Sequence, residues 1–390
     1  MKLLIYSHFF APSVGGVETV VLSLARGLAE LRNGQGQPEF EIALVTEMPA
    51  RDFRDGDLPF PVIRKPGLFQ LQKLIRKSDV LHVAGPAFAP LLLSYILRKP
   101  LVVEHHGFQT ICPNGCLLFE PSDTPCPGHF MPGRHAFCLR CNAGRGRWGS
   151  TRLWLLTFLR RALCRGVAAN ITPTRWLGDQ IALPRVISIP HGVEMTMPKM
   201  EAQLSSHRPI IAFIGRLVST KGVRELFQAA KILKEQNYSF ELLIIGDGPE
   251  RASLEQFARQ TQISSMVSFV GHLEAAELEN ILDRALAVVV PSLGGEVFGM
   301  VIAENMLRGK AIVSSDLGAF SEVLDGTGLM FRTGDAFDLS KRISELIDAP
   351  LLARRLGQRA RRRALQFCDY QLMVRSHAEI YIKAAKMRSR

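Results

Sequence analysis

Long apolar runs are missing from this sequence: no segment has eighteen uninterrupted apolar residues, so no membrane-spanning helix is expected. The opening MKLLIYSHFF lacks the long apolar region and the small-residue cleavage site of a secretory signal, and a cytoplasmic location is expected. Repeats and low-complexity stretches are also absent, which excludes collagen-like and disordered classes of protein. The chain has 390 residues, of which 47% are hydrophobic, and this length predicts two domains rather than one compact core.

Acidic residues are also in short supply. The chain has 36 of them against 48 lysines and arginines, a formal net charge of +12, and the basic residues concentrate in residues 145–165 and 354–363. An anionic partner is therefore expected. No nucleic-acid-binding module is recognisable, which favours an anionic membrane surface or a phosphorylated substrate over nucleic acid. A solvated basic face is the alternative interpretation.

Two series of short apolar runs predict two α/β domains, because each run is separated from the next by a helical or polar segment. The first series predicts strands at Lys2–Tyr6, Phe40–Val45, Val80–Ala84, Leu101–Val103, Ala168–Thr172 and Val186–Ile189. The second predicts strands at Ile210–Ile214, Phe240–Ile245, Val267–Val270, Ala287–Val290, Ala311–Ser314 and Gly328–Phe331. The predicted architecture is two doubly wound, Rossmann-like parallel sheets facing a cleft, with a linker after Val193.

The stretch from Pro291 to Leu307 carries the strongest functional signal. A valine-rich run precedes it, a glycine-rich turn opens it, and a helix is predicted from about Phe298. Such a helix start binds anions through its free backbone N–H groups. Glu296 in the turn and Glu304 in the helix flank this anion site, and carboxylates accept hydrogen bonds from sugar hydroxyls, which suggests a nucleotide sugar. A plain helix N-terminus with solvated acids is the competing interpretation.

Further candidates for anion binding follow predicted strand ends. Gly15 and Gly16 open the first predicted helix, and their spacing is not the dinucleotide-binding G-x-G-x-x-G, which disfavours a dehydrogenase. Arg216 and Lys221 lie in the loop after the first strand of the second domain. An arginine fork and a lysine can neutralise a diphosphate leaving group in place of a metal ion. As isolated surface residues they would carry little meaning.

These motifs together resemble the family-4 retaining glycosyltransferases of GT-B fold over nearly the whole chain. The resemblance lies in Gly15-Gly16, GRLVSTKG at 215–222, GDGP at 246–249, VSFVGH at 267–272 and PSLGGEVFGMVIAE at 291–304. It implies sugar transfer from a nucleotide donor with retained anomeric configuration and without a catalytic metal. The implied donor is a UDP- or GDP-sugar.

The resemblance also implies a role for each matching residue. Arg216 and Lys221 would hold the donor diphosphate, Glu296 would contact the donor sugar, and Glu304 would contact the ribose. Backbone groups of Phe298, Gly299 and Met300 would join them.

In the first domain, Gly15 and Gly16 would complete the phosphate site, and His106 of the His106-Gly107 motif would face the donor sugar. His105 is the alternative if the register slips by one, and a capped strand end is the alternative for both. The chain departs from the family pattern at His191-Gly192, where Asn-Gly is usual, and at Val297, where glycine is common.

Cysteine is scarce outside one stretch: five of the seven cysteines lie in residues 112–141. The Cys138-x-x-Cys141 spacing suits a zinc site that would order a Pro/Gly-rich insertion at 108–147. Candidates for the remaining ligands are Cys112, Cys116 and Cys126, and also His129 and His135. Disulfides and thiols without metal are the alternatives. Resemblance to some bacterial family members implies Cys112, Cys126, Cys138 and Cys141 as the ligands, near the acceptor entrance.

The arginine-flanked stretch Trp148–Arg165 has an apolar stripe that suits either a membrane-surface helix or packing against the core of the first domain. A helix at Asp369–Lys386 should cross back to the first domain, by the same resemblance. The expected domains are 1–195 for the acceptor, 196–368 for the nucleotide sugar, and the helical segment 369–390.

The expected function is transfer of a hexose-type sugar to a glycan or lipid-linked acceptor in cell-envelope polysaccharide synthesis, by an enzyme peripheral to the inner face of the membrane. A nucleotide-sugar epimerase and a non-catalytic nucleotide-sugar or metal-binding adaptor at the membrane are the alternatives.

Overall fold

The structure is a computed structural model, and it describes residues 1–13, 15–194 and 208–387. Contacts between residues divide the chain into two compact units. Unit 1 is the described part of Met1–Cys116, Gly128–Glu194 and Cys368–Arg390, and unit 2 is the described part of Leu117–Pro127 and Met195–Phe367. Most of the predicted linker after Val193 lies outside the described residues. The domain boundaries drawn from the sequence stay a prediction.

The described residues form fifteen strands and fourteen α-helices. The strands are β1 (Lys2–Ser7), β2 (Glu41–Thr46), β3 (Val62–Arg64), β4 (Val80–Ala84), β5 (Leu101–Glu104), β6 (Leu118–Phe119), β7 (Thr124–Pro125), β8 (Ala169–Thr172), β9 (Val186–Ser188), β10 (Ile210–Ile214), β11 (Glu241–Ile245), β12 (Val267–Gly271), β13 (Ala285–Val290), β14 (Ala311–Ser315) and β15 (Leu329–Phe331). The helices are α1 (Gly16–Glu30), α2 (Leu68–Lys77), α3 (Phe88–Ile96), α4 (His135–Cys141), α5 (Gly146–Cys164), α6 (Arg175–Ile181), α7 (Val223–Glu235), α8 (Arg251–Gln260), α9 (Ala275–Arg284), α10 (Met300–Leu307), α11 (Gly318–Leu324), α12 (Ala336–Asp348), α13 (Pro350–Phe367) and α14 (Tyr370–Lys386).

Each unit contains one fully parallel sheet. The sheet of unit 1 has the order β3-β2-β1-β4-β5-β8-β9, and the sheet of unit 2 has the order β12-β11-β10-β13-β14-β15. Both are doubly wound, with the direction of progression reversing beside the first strand. The predicted fold class is therefore confirmed. The sequence analysis did not predict β3, a three-residue strand at the edge of this sheet.

Burial explains why the strands read as continuous apolar runs. All six residues of β13, ALAVVV, are buried, because helices cover both faces of a parallel sheet. The core of unit 2 packs β10, β11 and β13 against α7 and α12. Ligands of open α/β sheets bind beyond the carboxyl ends of the strands, where the strand order reverses. In unit 2 that position lies between the ends of β10 and β13.

The helix predicted at Trp148–Arg165 is observed as α5, with a buried stripe that differs from the predicted one. The buried residues of α5 are Ser150, Thr157 and Cys164, at heptad spacing. The residues of the predicted apolar stripe are half-buried or exposed instead: Leu153, Trp154, Leu156, Leu159 and Leu163. No helix among the described residues combines the length and the apolar character that crossing a membrane requires.

Candidate functional site

The site in unit 2 is built from the two loops that follow β10 and β13. A backbone hydrogen bond joins them, with Leu293 N donating to Thr220 O at 2.8 Å. Gly222 has a φ of 65°, and a Cβ there would lie 2.0 Å from Pro291 O. Only glycine allows both this conformation and this close approach of the two backbones. The tight contact brings two loops together that are about seventy residues apart in the sequence.

Lys221 and Glu296 meet at this junction. Lys221 Nζ lies 2.5 Å from Glu296 Oε1, and Ser292 Oγ donates a hydrogen bond to the same oxygen at 3.1 Å. The Lys221 side chain is 30% exposed and that of Glu296 is 14% exposed, so an incoming ligand can reach both groups. Arg216 is exposed at the carboxyl end of β10. The three residues that the sequence proposed for the donor therefore lie at the ends of neighbouring strands.

The helix start beyond Glu296 also depends on a glycine. Gly299 precedes α10 with a φ of 91°, and a Cβ there would lie 2.7 Å from the Phe320 ring. Phe298 is buried and its ring stacks on Phe367, with 6.1 Å between the centroids. The Phe298 side chain therefore belongs to the core, which leaves backbone groups as what this residue can offer a ligand. Met300, the first residue of α10, is half-buried.

Glu304 lies one turn into α10 and is half-buried. Burial raises the pKa of Glu304 above its usual value, and the attraction of the Arg308 guanidinium offsets part of that effect. Arg308 itself is bound to Glu279 at 2.7 Å. Burial disfavours the charged form of a carboxylate, and hydrogen bonds from a donor stabilise that form. The Glu304 carboxylate would therefore gain from the hydroxyl or N–H groups of a ligand.

In unit 1, Gly15 and Gly16 form the start of α1. Gly15 is extended, and a Cβ there would lie 2.6 Å from Glu18 Oε2. The carboxylate of Glu18 therefore lies beside this helix start, a contact that sequence reasoning did not identify. An acid in the first turn of a helix is stabilised by the exposed N–H groups.

The two histidines of the His-Gly motif have different environments. His105 is fully buried, its Nε2 lies 2.9 Å from Asn170 Oδ1, and burial lowers its pKa to about 4. His106 is half-buried and its ring stacks on His191, with 5.3 Å between the centroids. Burial also lowers the pKa of His191 to about 3. The His105 residue is fully buried and the His106 side chain is 5% exposed, so His106 is the less buried of the two candidates.

Sequence reasoning missed the residue that lies behind His106. Glu104, at the end of β5, is fully buried and has four histidine rings around it: His82, His106, His191 and His377. Burial alone would raise the pKa of Glu104, but the charges of His106 and His377 outweigh it and hold the pKa well below the usual range. The one available signal was an unusual Glu-His-His at a strand end.

The cysteine-rich insertion is partly assembled around Asn114. Cys112 Sγ donates to Asn114 Oδ1 at 2.9 Å, and Asn114 Nδ2 donates to Cys141 Sγ at 3.4 Å. Cys138 and Cys141 lie on α4 and are buried, whereas Cys126 is half-buried and belongs to unit 2. The described cysteines do not bring three sulfurs within 4.8 Å of one another. The predicted zinc ligation by Cys112, Cys126, Cys138 and Cys141 stays a prediction.

Two protein-family models match the chain, one in each half of the sequence. Residues 198–363 match the family model described as glycosyl transferases group 1, and residues 14–196 match the model described as glycosyltransferase family 4. The chain is 31% identical to the MMP alpha-(1->4)-mannosyltransferase of Mycolicibacterium hassiacum, over 98% of both chains.

Other relatives match in part or in fold only. The chain is 32% identical to the glycogen synthase of Mycobacterium tuberculosis, over 57% of this chain and 56% of that protein, so it spans about half the length of this relative. Among solved structures, Anabaena Alr3699/HepE in complex with UDP-glucose superposes with a TM-score of 0.70, at 16% identity, over 100% of this chain and 99% of that one. That likeness shows the fold alone.

Proposed function

Because the chain belongs to the glycosyltransferases of group 1 and family 4, we propose that it transfers a hexose-type sugar from a nucleotide-sugar donor, with retention of configuration. The observation that carries this proposal is the meeting of Lys221 and Glu296 where the strand order of unit 2 reverses. A cation and a carboxylate beside a helix start match the two halves of a sugar diphosphate. The cation suits the diphosphate, and the carboxylate suits the sugar hydroxyls.

The donor diphosphate is the ligand proposed for Lys221, Arg216 and the free N–H groups at the start of α10. In the structure Lys221 is paired with Glu296, so an arriving phosphate would compete for the ammonium group and release the carboxylate for the sugar. Lysine can make this exchange, because its compact charge sits on a flexible stem. Glu304, one turn further along α10, is proposed to accept hydrogen bonds from the ribose hydroxyls.

Unit 1 is proposed to contribute His106 to the donor sugar and Gly15 and Gly16 to the phosphate site. The His106 side chain is 5% exposed, and its Nε2 faces Glu104 Oε2 at 3.4 Å. Nδ1 is then the atom available to a sugar hydroxyl. The first turn of α1 carries Glu18, so a phosphate at this helix start would have to share the N–H groups with that carboxylate.

The proposed reaction breaks the bond between the anomeric carbon and the diphosphate oxygen. The acceptor oxygen bonds to the anomeric carbon on the face that the diphosphate leaves, and its proton passes to an oxygen of the leaving phosphate. Arg216 and Lys221 stabilise the negative charge that develops on the leaving group. Electrostatic stabilisation of this kind is usually the largest contribution to the rate enhancement. The products are a glycoside and a nucleoside diphosphate. We propose a UDP-sugar or a GDP-sugar as donor, and UDP-glucose, which the Anabaena neighbour binds, is the first to test.

The acceptor is proposed to be a glycan or a lipid-linked sugar of the cell envelope, reached by unit 1 at a membrane surface. α5 exposes Trp148 at 90% and Leu155 at 50%, with Arg147 and Arg152 exposed beside them. Amphipathic helices of this kind bind the interface of anionic membranes through their apolar side chains and cationic flanks. The cysteine-rich insertion, with a structural zinc ion, is proposed to take part in acceptor recognition.

The test of the proposed function is turnover of a panel of UDP-, GDP- and ADP-sugars, read as release of the nucleoside diphosphate with and without a lipid extract as acceptor. We expect release from one donor and a loss of at least about a hundredfold in Lys221→Ala and Glu296→Ala. Lys231→Ala and Glu235→Ala are the matched controls, because they break an exposed Lys–Glu pair of the same unit, 3.6 Å apart.

Three outcomes contradict the proposal. Equal losses in both pairs of variants would show that the site pair has no special role. Conversion of the donor sugar to an epimer without acceptor would indicate an epimerase. Donor binding without turnover, with acceptor extract present, would indicate a non-catalytic adaptor.

A further inference from the structure

Unit 1 contains a cluster of one carboxylate and four imidazoles, of which the proposed sugar transfer uses only the imidazole of His106. We call Glu104, His82, His106, His191 and His377 the Glu104 cluster. Its members come from β4, the end of β5, the loops after β5 and β9, and α14. Glu104, His82 and His377 are fully buried, and the side chains of His191 and His106 are 3% and 5% exposed.

The distances inside the Glu104 cluster exceed those of hydrogen bonds. Nε2 of His82 and Nε2 of His106 each lie 3.4 Å from Glu104 Oε2, and Nδ1 of His191 lies 3.7 Å from Glu104 Oε1. Direct N–H···O bonds span about 2.7–3.2 Å. Both oxygens of Glu104 and the Nε2 atoms of His82 and His106 are buried without a hydrogen-bond partner in the described part of the chain. A buried carboxylate in this condition is costly unless a positive charge compensates it, either a bound cation or a proton on one of the rings.

Three members of the cluster have the separations that one metal ion requires. The ligand atoms of Glu104, His106 and His191 all lie within 4.8 Å of one another, and this is the one such group of three among the described residues. Two ligands at the usual 2.0–2.2 Å from a tetrahedral zinc ion are about 3.3–3.6 Å apart. The 3.4 Å from His106 Nε2 to Glu104 Oε2 and the 3.7 Å from His191 Nδ1 to Glu104 Oε1 are close to this range.

The other two histidines lie where outer-shell partners of a metal ligand are found. His377 Nδ1 lies 2.9 Å from Met373 O, and since a carbonyl only accepts, Nδ1 carries the proton and Nε2 faces Glu104 Oε2 at 3.6 Å. His82 Nδ1 lies 3.0 Å from the Tyr381 hydroxyl. Outer-shell groups hold a metal-bound carboxylate by donating to it. His82 can donate from Nε2, whereas His377 can donate only when its ring carries both protons. The cluster therefore has an inner face toward α14 and an outer face at His106 and His191.

We propose that Glu104, His106 and His191 bind one divalent first-row transition-metal ion of the zinc class, with water in the remaining position. Two imidazoles and one carboxylate form a donor set that such ions prefer, and magnesium and calcium do not. The site is separate from the predicted cysteine site. Its ion would hold the His106 ring by Nε2 and so fix the direction of Nδ1. The test of this proposal does not depend on sugar transfer, because it measures metal binding directly.

The test titrates cobalt(II) and zinc(II) into full-length, tag-free protein after dialysis against a chelator. The expected result is one cobalt ion per chain with the visible spectrum of nitrogen and oxygen ligands. We expect His191→Asn to weaken this binding by at least about tenfold. That variant introduces the residue that the family pattern usually has at this position, and it should fold. His8→Asn is the matched control, an exposed histidine outside the cluster.

A second readout is the rise in melting temperature on adding zinc, since an ion that binds only the folded state stabilises it. The rise should disappear in His191→Asn and His106→Asn and persist in His8→Asn. Three results overturn the proposal: no bound ion, equal affinity in the His191→Asn protein, or a cobalt spectrum with only thiolate charge-transfer bands. The last result would assign the ion to the cysteines. Absence of any ion would indicate that the carboxylate is compensated by a proton on one of the rings.

Discussion

Glu304 occupies an unfavourable position for a carboxylate. It is half-buried on α10, and its nearest cation, Arg308, is already bound to Glu279. Burial raises its pKa, so the folded protein binds the Glu304 proton more tightly than the unfolded chain does. The free-energy cost is absent at pH values below the unfolded pKa, grows as the pH rises towards the folded pKa, and is complete above it. Costs of this kind are commonly retained where a charged group serves binding.

Glu304→Gln is therefore expected to raise the melting temperature at pH 8, with a smaller effect near pH 4.5. It should also weaken donor binding by about tenfold, because hydrogen bonds to a charged acceptor are lost. Thermal unfolding at both pH values and nucleotide titration measure the two effects. Glu235→Gln, which changes an exposed glutamate of the same unit, is the control. A lower melting temperature for Glu304→Gln at pH 8 would contradict this account.

At the scale of elements, α13 determines where α10 lies. α13 packs on α10 and β14, and this packing depends on Gly357. A Cβ at Gly357 would lie 1.9 Å from Gly309 O, in the turn that joins α10 to β14. The helix therefore rests directly on the backbone of that turn. Because α10 carries Glu304 and begins at the anion site, the position of the site depends on this contact.

Gly357→Ala separates helix propensity from packing. Propensity alone predicts that alanine in a helix stabilises by about 1 kcal/mol relative to glycine. The backbone contact predicts the opposite, a loss of about 2 kcal/mol or more, since the turn must move to admit the methyl group. Denaturant unfolding decides between the two signs. Gln358→Ala, the next residue of the same helix, should change the stability by much less.

The last helix of the chain has a comparable role in unit 1. Tyr370 donates to Ser23 O of α1 at 2.9 Å, and Tyr381 reaches His82 on β4. Residues from Cys368 onward group with unit 1, although the preceding residues group with unit 2. α14 also supplies His377 to the Glu104 cluster. The Glu104 cluster therefore depends on the packing of α14 in unit 1.

At the scale of the whole molecule, the net charge of +12 has to be distinguished from the local surface of α5. A general positive charge would attract anionic lipid from every side, whereas an interfacial helix would bind through its exposed apolar residues as well. Net charge and the α5 surface therefore predict different effects when an exposed aromatic residue is replaced. Trp148, 90% exposed, and Phe337, 51% exposed, are matched aromatic residues in unit 1 and unit 2.

Co-sedimentation with vesicles that contain anionic phospholipid is expected to occur at about 50 mM salt and to fall several-fold by about 500 mM, because salt screens the attraction. Trp148→Ser should weaken binding at both salt concentrations, and Phe337→Ser should not. Equal behaviour of the two variants would assign the effect to net charge alone. If the Trp148→Ser protein binds the vesicles as well as the unchanged protein does, α5 does not form the membrane-binding surface.

Sequence by itself determined the features that depend on local pattern. The buried run of β13 predicts a strand because parallel strands are apolar on both faces, and the alternation of such runs with helices predicts two doubly wound sheets. The motifs around Lys221, Glu296 and Glu304 could be found for the same reason. Each is a strand end followed by a glycine-dependent turn, and in this strand order such ends converge at one edge of the sheet.

Only the tertiary structure decided which distant side chains meet. Glu104 lies beside histidine rings from positions as distant as 82 and 377. The strand order and the packing of α14 in unit 1 bring these residues together, and neither produces a periodic pattern in the sequence. On α5 the small residues Ser150, Thr157 and Cys164 are buried and the leucines are not, because close packing selects by shape and volume as much as by hydrophobicity. Local pattern thus identifies elements and strand ends, whereas burial and charge pairing depend on what the rest of the chain brings to the same place.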